Sequence, residues 1–337
     1  QRLENDISSI SKLDEERLRI QNSKITPLEK LFALIESVKH HGTLAFAHAA
    51  RAGFVATAWL KSMEKEGIIS SSVKESFMRS IHTVAKEFEF DKGTLSNTDS
   101  GRANLIEKYG HLRPGTYEVT EQAYWENPDF YLFTSARDNQ KQDKDYFDLP
   151  KNTLEKINVH LKDMNIKIDA EKLFSFFRNS IEAREKTKFI FTKNISLALD
   201  ECQKIAKDLS LSRDDISFST IHDLMHLKEK KISKKKFLKN LMHRKKEFQQ
   251  SQLIELPSLI ASEKDFYNFE YQKTQPNFIT SNKVQCYIED LKSNPMMDLN
   301  GKIVMIPQAD PGYDWLFSKN ISGLITMYGG SNSHMAI

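Results

Sequence analysis

Gly323-Leu324-Ile325-Thr326-Met327-Tyr328-Gly329-Gly330-Ser331-Asn332-Ser333-His334-Met335-Ala336-Ile337 is the stretch that decides how the C-terminal part of the chain is read. Gly323 to Thr326 reads as a short buried strand. Gly329 and Gly330 permit a tight turn and a close approach of another group to the backbone. Ser333-His334-Met335 then reads as the start of a helix, so the order is strand, glycine turn, helix, an α/β arrangement. A histidine in the first turn of a helix sits where free N–H groups and the helix dipole favour an anion. Neutral imidazole is a nucleophile near neutral pH, and Ser331 and Ser333 add hydroxyl donors. Taken by themselves, these residues more often describe a loop histidine without chemistry.

Upstream, Lys302-Ile303-Val304-Met305-Ile306 reads as a second buried strand, and Pro276, Pro295, Pro307 and Pro311 punctuate the segment. Residues 285–337 are therefore expected to be a partial α/β domain and 256–284 a linker. Residues 1–255 read as a mainly α-helical domain. Thr26-Pro27-Leu28-Glu29 is a capping box with proline at the first helical position, followed by Leu31, Phe32, Ile35 and Val38 at helical spacing. Residues 43–65 are rich in Ala and Gly, which predicts close packing on another helix. Ser72-Val73-Lys74-Glu75 reads as a second capping box. Residues 91–150, with Gly93, Gly101, Gly110, Pro114, Gly115, Pro128 and Pro150, read as a long irregular connection. Helices resume near 152–162 and 170–209, then a weaker stretch at 214–227, then a basic helix.

Composition narrows the function classes. The chain of 337 residues is 39% hydrophobic and 28% charged, as in a globular protein with one or two cores. No run approaches the roughly 18 apolar residues of a membrane span. Cys202 and Cys286 have no metal-type spacing and make no disulfide framework, which fits a reducing cytoplasm. Residues 228–247 hold ten Lys/Arg against two Glu, with Phe237 the single aromatic and no series of stacking platforms, so a solvated helix face is expected rather than a nucleic-acid site. His40 and His41 are adjacent and do not share a helix face. His222 and His226 are four apart but have no third ligand nearby, so no metal site is expected. The chain opens Gln-Arg-Leu-Glu and stops at His-Met-Ala-Ile, in mid-pattern, and is read as an internal piece of a longer polypeptide.

The run Ile306-Pro307-Gln308-Ala309-Asp310-Pro311-Gly312-Tyr313, then Gly323-Leu324-Ile325-Thr326, then Gly329-Gly330-Ser331-Asn332-Ser333-His334-Met335-Ala336-Ile337 resembles a swivelling phosphohistidine domain. That domain belongs to the family of phosphoenolpyruvate synthase, pyruvate phosphate dikinase and rifampin phosphotransferase. Ala309 and Tyr313 stand where Thr and Trp are common in it, and Met335 where Ala is frequent. Weaker likenesses lie at Tyr109-Gly110-His111-Leu112-Arg113-Pro114-Gly115-Thr116-Tyr117-Glu118, at Ala183-Arg184-Glu185 with Lys188, and at Leu256-Pro257-Ser258-Leu259-Ile260 with Pro276-Asn277-Phe278-Ile279-Thr280. The resemblance implies a phosphotransferase in which His334 takes a phosphoryl group from ATP, or from phosphoenolpyruvate, and passes it to a small acceptor. It implies Gly329, Gly330, Ser331 and Ser333 as the loop around that histidine. It places ATP and Mg in an ATP-grasp domain outside this chain, so the chain alone is expected to be inactive. Neither a membrane nor a nucleic acid is an expected partner. A different class stays open: a non-catalytic helical binding or scaffold module with a vestigial carrier loop.

A phosphate acceptor site needs cations to offset transferred charge, and a base where a hydroxyl must lose its proton. His111, Arg113 and Glu118 are the right types in a Gly/Pro-bounded loop. The same loop could instead cap helices, with Arg113 in a structural ion pair. On the next candidate element, Phe174, Phe177, Ile181, Arg184, Lys188, Phe191 and Ile195 trace one helical stripe. Two cations interrupt that apolar seam. Buried charge is costly unless paired, so either acids from other elements meet them or they face a cavity that takes an anion. The expectation is that Arg184 and Lys188 border a polar cavity within reach of the 109–118 loop.

Overall fold

Asp169 begins the element that organises the molecule. Its carboxylate accepts the Lys172 amide at 2.8 Å, and thirty-nine residues, Ala170–Asp208, then run as one helix. The computed structural model describes residues 10–133, 147–257, 259–267, 275–280, 282–291, 298–330 and 333–336. In chain order the helices are α1 (Lys12–Gln21), α2 (Pro27–Ser37), α3 (Thr43–Lys65), α4 (Ser71–Arg79), α5 (Val84–Leu95) and α6 (Asp99–Tyr109). They continue as α7 (Pro128–Tyr131), α8 (Lys151–Asp163), α9 (Ala170–Asp208), α10 (Arg213–Ser217), α11 (Ile221–Lys228) and α12 (Lys234–Ser251).

The Thr26 capping box opens α2: the hydroxyl accepts the Glu29 amide, and Glu29 accepts the Thr26 amide at 2.8 Å. A π-helical turn, Val38–Gly42, carries α2 into α3 without a break, with His40 exposed on it. Along α3 the small residues Ala45, Ala49, Gly53 and Ala56 face inward, and α3 lies along α9. The approach is close: a Cβ on Gly53 would stand 3.0 Å from Cδ of Arg184. Further along, Leu60 and Met63 join Phe77, Phe174, Phe177 and Ile181 in one core, with Phe77 edge-on to Phe174 at 5.0 Å.

Two expectations need correction. Helix α4 is capped by Ser70, whose hydroxyl accepts the Val73 amide, and Ser72 lies one residue inside the helix. Serines crowd that start, and the first of them with extended backbone takes the cap. Residues 91–150 are not one irregular connection, because α5 runs to Leu95 and α6 spans Asp99–Tyr109. The glycine that suggested a loop there has a packing role. A Cβ on Gly101 would lie 2.1 Å from the Leu95 carbonyl oxygen, so glycine lets α6 begin against the end of α5.

After α12 the described residues of 253–287 hold one 3-10 turn, Glu263–Phe266, and no strand, and are largely exposed, with Leu259 at 73% and Phe278 at 84%. Three short strands follow: β1 (Ile288–Asp290), β2 (Ile303–Gln308) and β3 (Gly323–Tyr328). They form a parallel sheet in the order β1-β2-β3, with Ile288 opposite Ile303 and Ile303 opposite Gly323. The protein is thus mainly helical, with a small parallel α/β element at its C-terminal end. Between β2 and β3 a 3-10 helix, Pro311–Lys319, delivers Trp315 and Leu316 inward. They share a core with Val304 and Ile306 of β2 and with Phe88, Leu105, Tyr109, Tyr124 and Tyr131 of the helical part. Each large apolar side chain so buried contributes about 1.5–3 kcal/mol. The sheet segment is therefore seated on α5, α6 and the loop after them. Lys92 of α5 crosses this seam, donating to Ser318 Oγ at 2.7 Å.

Candidate functional site

Arg184 and Lys188 lie one turn apart on the middle of α9, and both line a pocket of about 150 Å³. Its other walls come from three elements: Val84 at the start of α5, Leu112 of the 109–118 loop, and Ala309, Pro311 and Ser333 of the C-terminal segment. The structure brings the two cations together with the loop that precedes His334. Ser333 is the residue next to His334 in the chain. His334 itself begins a short 3-10 turn, His334–Ala336. Its side chain lies outside the described residues, as does Ser331.

The loop's geometry follows from its glycines. Gly329 has φ of 156°, and a Cβ there would meet the Cβ of Ala309 at 2.8 Å. Glycine thus lets β3 turn back tightly over the end of β2, where the Ala309 amide donates to the Tyr328 carbonyl. The Ser333 amide then donates to the Gly330 carbonyl at 2.9 Å, closing the turn before His334. Among the described residues nothing lies within 4 Å of a Cβ placed on Gly330.

Lys188 is half-buried, and among the described residues its ammonium makes no hydrogen bond or ion pair. Burial lowers its pKa from the usual lysine range. Asp310 opposes that most strongly, Arg184 adds to it, and Asp314 and Glu185 favour the charged form. Arg184 is shifted down by burial as well, with Glu185 opposing, and its guanidinium lies over the Phe54 ring at 4.7 Å. Glu185 is buried and accepts the Val84 amide at 3.2 Å, which ties the start of α5 to the pocket wall.

The loop candidates are placed differently. Arg113 is buried, but its guanidinium is occupied: it pairs with Asp200 at 2.8 Å and donates to Ser196 Oγ and the carbonyls of Ser196 and Glu121. Its place is a structural ion pair holding the loop to α9. Asp200 has its pKa raised by burial, with Arg113 acting the other way. The Arg113 backbone has a second role. A Cβ on Gly312 would stand 1.6 Å from the Arg113 carbonyl oxygen, so only glycine lets the Asp310-Pro311-Gly312 turn seat here. Tyr124 secures the same turn by donating to the Gly312 carbonyl at 2.8 Å. His111 is buried edge-on to Phe189 at 4.7 Å. Burial, with Lys193 and Arg17, pushes its pKa well below the usual value, so the buried ring is neutral. Glu118 is exposed, accepts the Thr120 amide and hydroxyl, and lines a separate groove bordered by Leu31, Ile195 and Phe248. Of the loop's candidate side chains, none lines the pocket.

Sequence reasoning missed Asp310, Thr116 and Gly312. The Asp310 carboxylate accepts the Gly312 amide and the Thr116 hydroxyl, bridging the C-terminal segment to the 109–118 loop. An aspartate just before Pro-Gly signals a local turn, and no local pattern says that it also accepts from Thr116, almost two hundred residues earlier. Among the described residues no three His, Cys, Asp or Glu side chains converge as a metal site, and no helix is long and apolar enough to cross a membrane. No family model matches the chain, and no curated protein matches it.

Proposed function

We propose that the chain is part of a phosphotransferase in which His334 carries a phosphoryl group and the Arg184–Lys188 pocket receives it for transfer to an acceptor. The observation that carries this reading is Lys188. A half-buried ammonium with no hydrogen bond or ion pair among the described residues faces a pocket that the neighbour of the histidine also lines. Buried cations are costly without a partner, and an incoming phosphoryl group is the partner that such a pocket suits. Arg184, beside it, offers a planar fork for phosphoryl oxygens.

In this reading the phosphoryl group reaches His334 from ATP or phosphoenolpyruvate bound elsewhere in a longer polypeptide. During discharge the bond from phosphorus to the ring nitrogen breaks and a bond to an acceptor oxygen forms. The acceptor's proton ends on the imidazole. Arg184 and Lys188 offset the charge that builds on the phosphoryl oxygens. The carrier segment would leave its seat and return by movement about the exposed residues that precede β1.

The test uses the full-length protein with labelled ATP or phosphoenolpyruvate. Phosphate should appear on His334 as an acid-labile, base-stable adduct, and His334→Asn should abolish both the adduct and transfer. Wild-type transfer by that variant overturns the carrier role. No adduct with either donor favours a helical scaffold with a vestigial loop.

A further inference from the structure

Helix α12 and the turn before it carry a positive face. Lys230, Lys234, Lys235, Lys236, Lys239 and Lys246 are exposed, and among the described residues none of their ammonium groups makes a hydrogen bond or ion pair. The acids of the stretch are already engaged: Glu229 pairs with Lys231 at 2.7 Å, and Glu247 lies 3.3 Å from His243. On the inner side of the helix, Asp223 and Asp215 pair with Arg244 and Lys245. The outer face is not purely polar. Met242 lies between Lys239 and Lys246 and is 74% exposed. The turn continues past the helix end, where the Leu253 amide donates to the Gln250 carbonyl at 3.1 Å. Leu253 thus falls about three turns beyond Met242 on the same face. It is 87% exposed, and Ile254 beside it is 66% exposed.

Like charges held this close repel one another and raise a strong positive potential, which an anionic partner of matching extent relieves. Nucleic acids and anionic bilayers both present such a counter-charge. Nucleic acids are gripped by arginine forks and stacked on aromatic rings. Here Arg244, the single arginine of 228–247, is spent on Asp223, and Phe248 turns in against Phe218 at 5.5 Å. A bilayer instead meets lysines at its headgroups and takes exposed apolar side chains into its interface. We propose that α12 lies along an anionic phospholipid surface. Lys235, Lys239 and Lys246 meet the headgroups, and Met242, Leu253 and Ile254 dip between them. The contact is peripheral and needs no spanning helix. It does not depend on the phosphoryl-transfer reading.

The test is sedimentation of the full-length protein with vesicles of phosphatidylcholine alone, or of phosphatidylcholine and phosphatidylserine in roughly 2:1 ratio. Binding should require phosphatidylserine and weaken as salt rises. A variant carrying Lys235→Gln, Lys239→Gln and Lys246→Gln should bind about 10²-fold more weakly, at roughly fivefold per lysine. A variant carrying Lys24→Gln, Lys65→Gln and Lys207→Gln has the same net charge and should stay within about threefold of wild type. Leu253→Ser with Ile254→Ser should cost about tenfold at every salt concentration. All of these side chains are exposed, so each variant should keep the wild-type denaturation midpoint. No binding to phosphatidylserine vesicles overturns the proposal, as does an equal loss in the two lysine variants. Wild-type binding by the Leu253→Ser, Ile254→Ser variant removes the apolar contact and overturns it too. Tighter binding to duplex RNA than to the vesicles at equal phosphate concentration, lost in the α12 lysine variant, would make the face a nucleic-acid site instead.

Discussion

Two cations are withdrawn from water on either side of the Asp310-Pro311-Gly312 turn. At Arg113 every nitrogen of the guanidinium has a partner in Ser196, the Glu121 carbonyl or Asp200, and the side chain is buried. At Lys188 the ammonium looks into a cavity, with carboxylates near but not touching. Both residues stand beside the same segment, and both interrupt otherwise packed surroundings. The difference teaches that burial of a charge does not mark a site. What separates a structural cation from a candidate ligand-binding one is whether its hydrogen-bonding capacity has been used.

The sharpest way to break this comparison is to remove each cation in turn. Arg113→Ala should cost about 3–5 kcal/mol in chemical denaturation, because it leaves Asp200 buried without its partner. A loss below about 1 kcal/mol would mean the ion pair is not structural. Lys188→Met should do the reverse. Stability should hold or rise, since no hydrogen bond is lost. Discharge of the phosphorylated carrier in the full-length protein should fall by roughly 10²–10³-fold, the scale for losing one stabilising group. Equal destabilisation by the two variants would erase the distinction.

A third cation sharpens the comparison because it lies between the two cases. Lys92 is buried at the seam, donates to Ser318 Oγ and more distantly to the Tyr131 carbonyl, and has its pKa lowered to about 8, chiefly by burial. In the unfolded chain its pKa is near the ordinary value of roughly 10.4. Between those values the unfolded state binds more protons, so stability should rise with pH from about 8 to about 10.4. The gain should be about 3 kcal/mol, and the full penalty should be present below pH 8. Lys92→Met should remove that component of the slope in denaturation measured across the window, and an unchanged slope would show that Lys92 is not buried at the seam. The smallest effect is expected at Glu118. Its carboxylate is exposed and serves only Thr120, so Glu118→Gln should change stability and phosphoryl discharge by no more than about 0.5 kcal/mol. A larger loss of discharge would bring the 109–118 loop back as part of the site.

Much of the architecture was legible because it is local. The Thr26-Pro27-Leu28-Glu29 box, the seam from Phe174 to Ile195 and the apolar runs ending at Ile306 and Tyr328 carry their elements in a few residues each. Helix α6 was hidden because its glycine resembles a loop glycine until the Leu95 carbonyl beside it is seen. Strand β1 was hidden because three half-exposed residues have no periodicity to read, and only pairing with Ile303 makes them a strand. At the candidate site, the stripe of α9 showed that Arg184 and Lys188 interrupt a buried face. It also posed the choice between acids and a cavity, without deciding it.

The sequence by itself determined the helical N-terminal part, two short strands near the end, and the placement of two cations on one face of helix α9. These follow from periodicity, capping and turn chemistry, which act within a few residues along the chain. The tertiary structure decided that Arg113 is spent on Asp200 and Ser196, that Lys188 opens on the pocket beside Ser333, and that Asp310 bridges to Thr116 of the 109–118 loop. The physical reason is that the cost of a buried charge is set by whatever groups and solvent surround it. Those surroundings are assembled from distant parts of the chain only when the sheet segment seats on the helices.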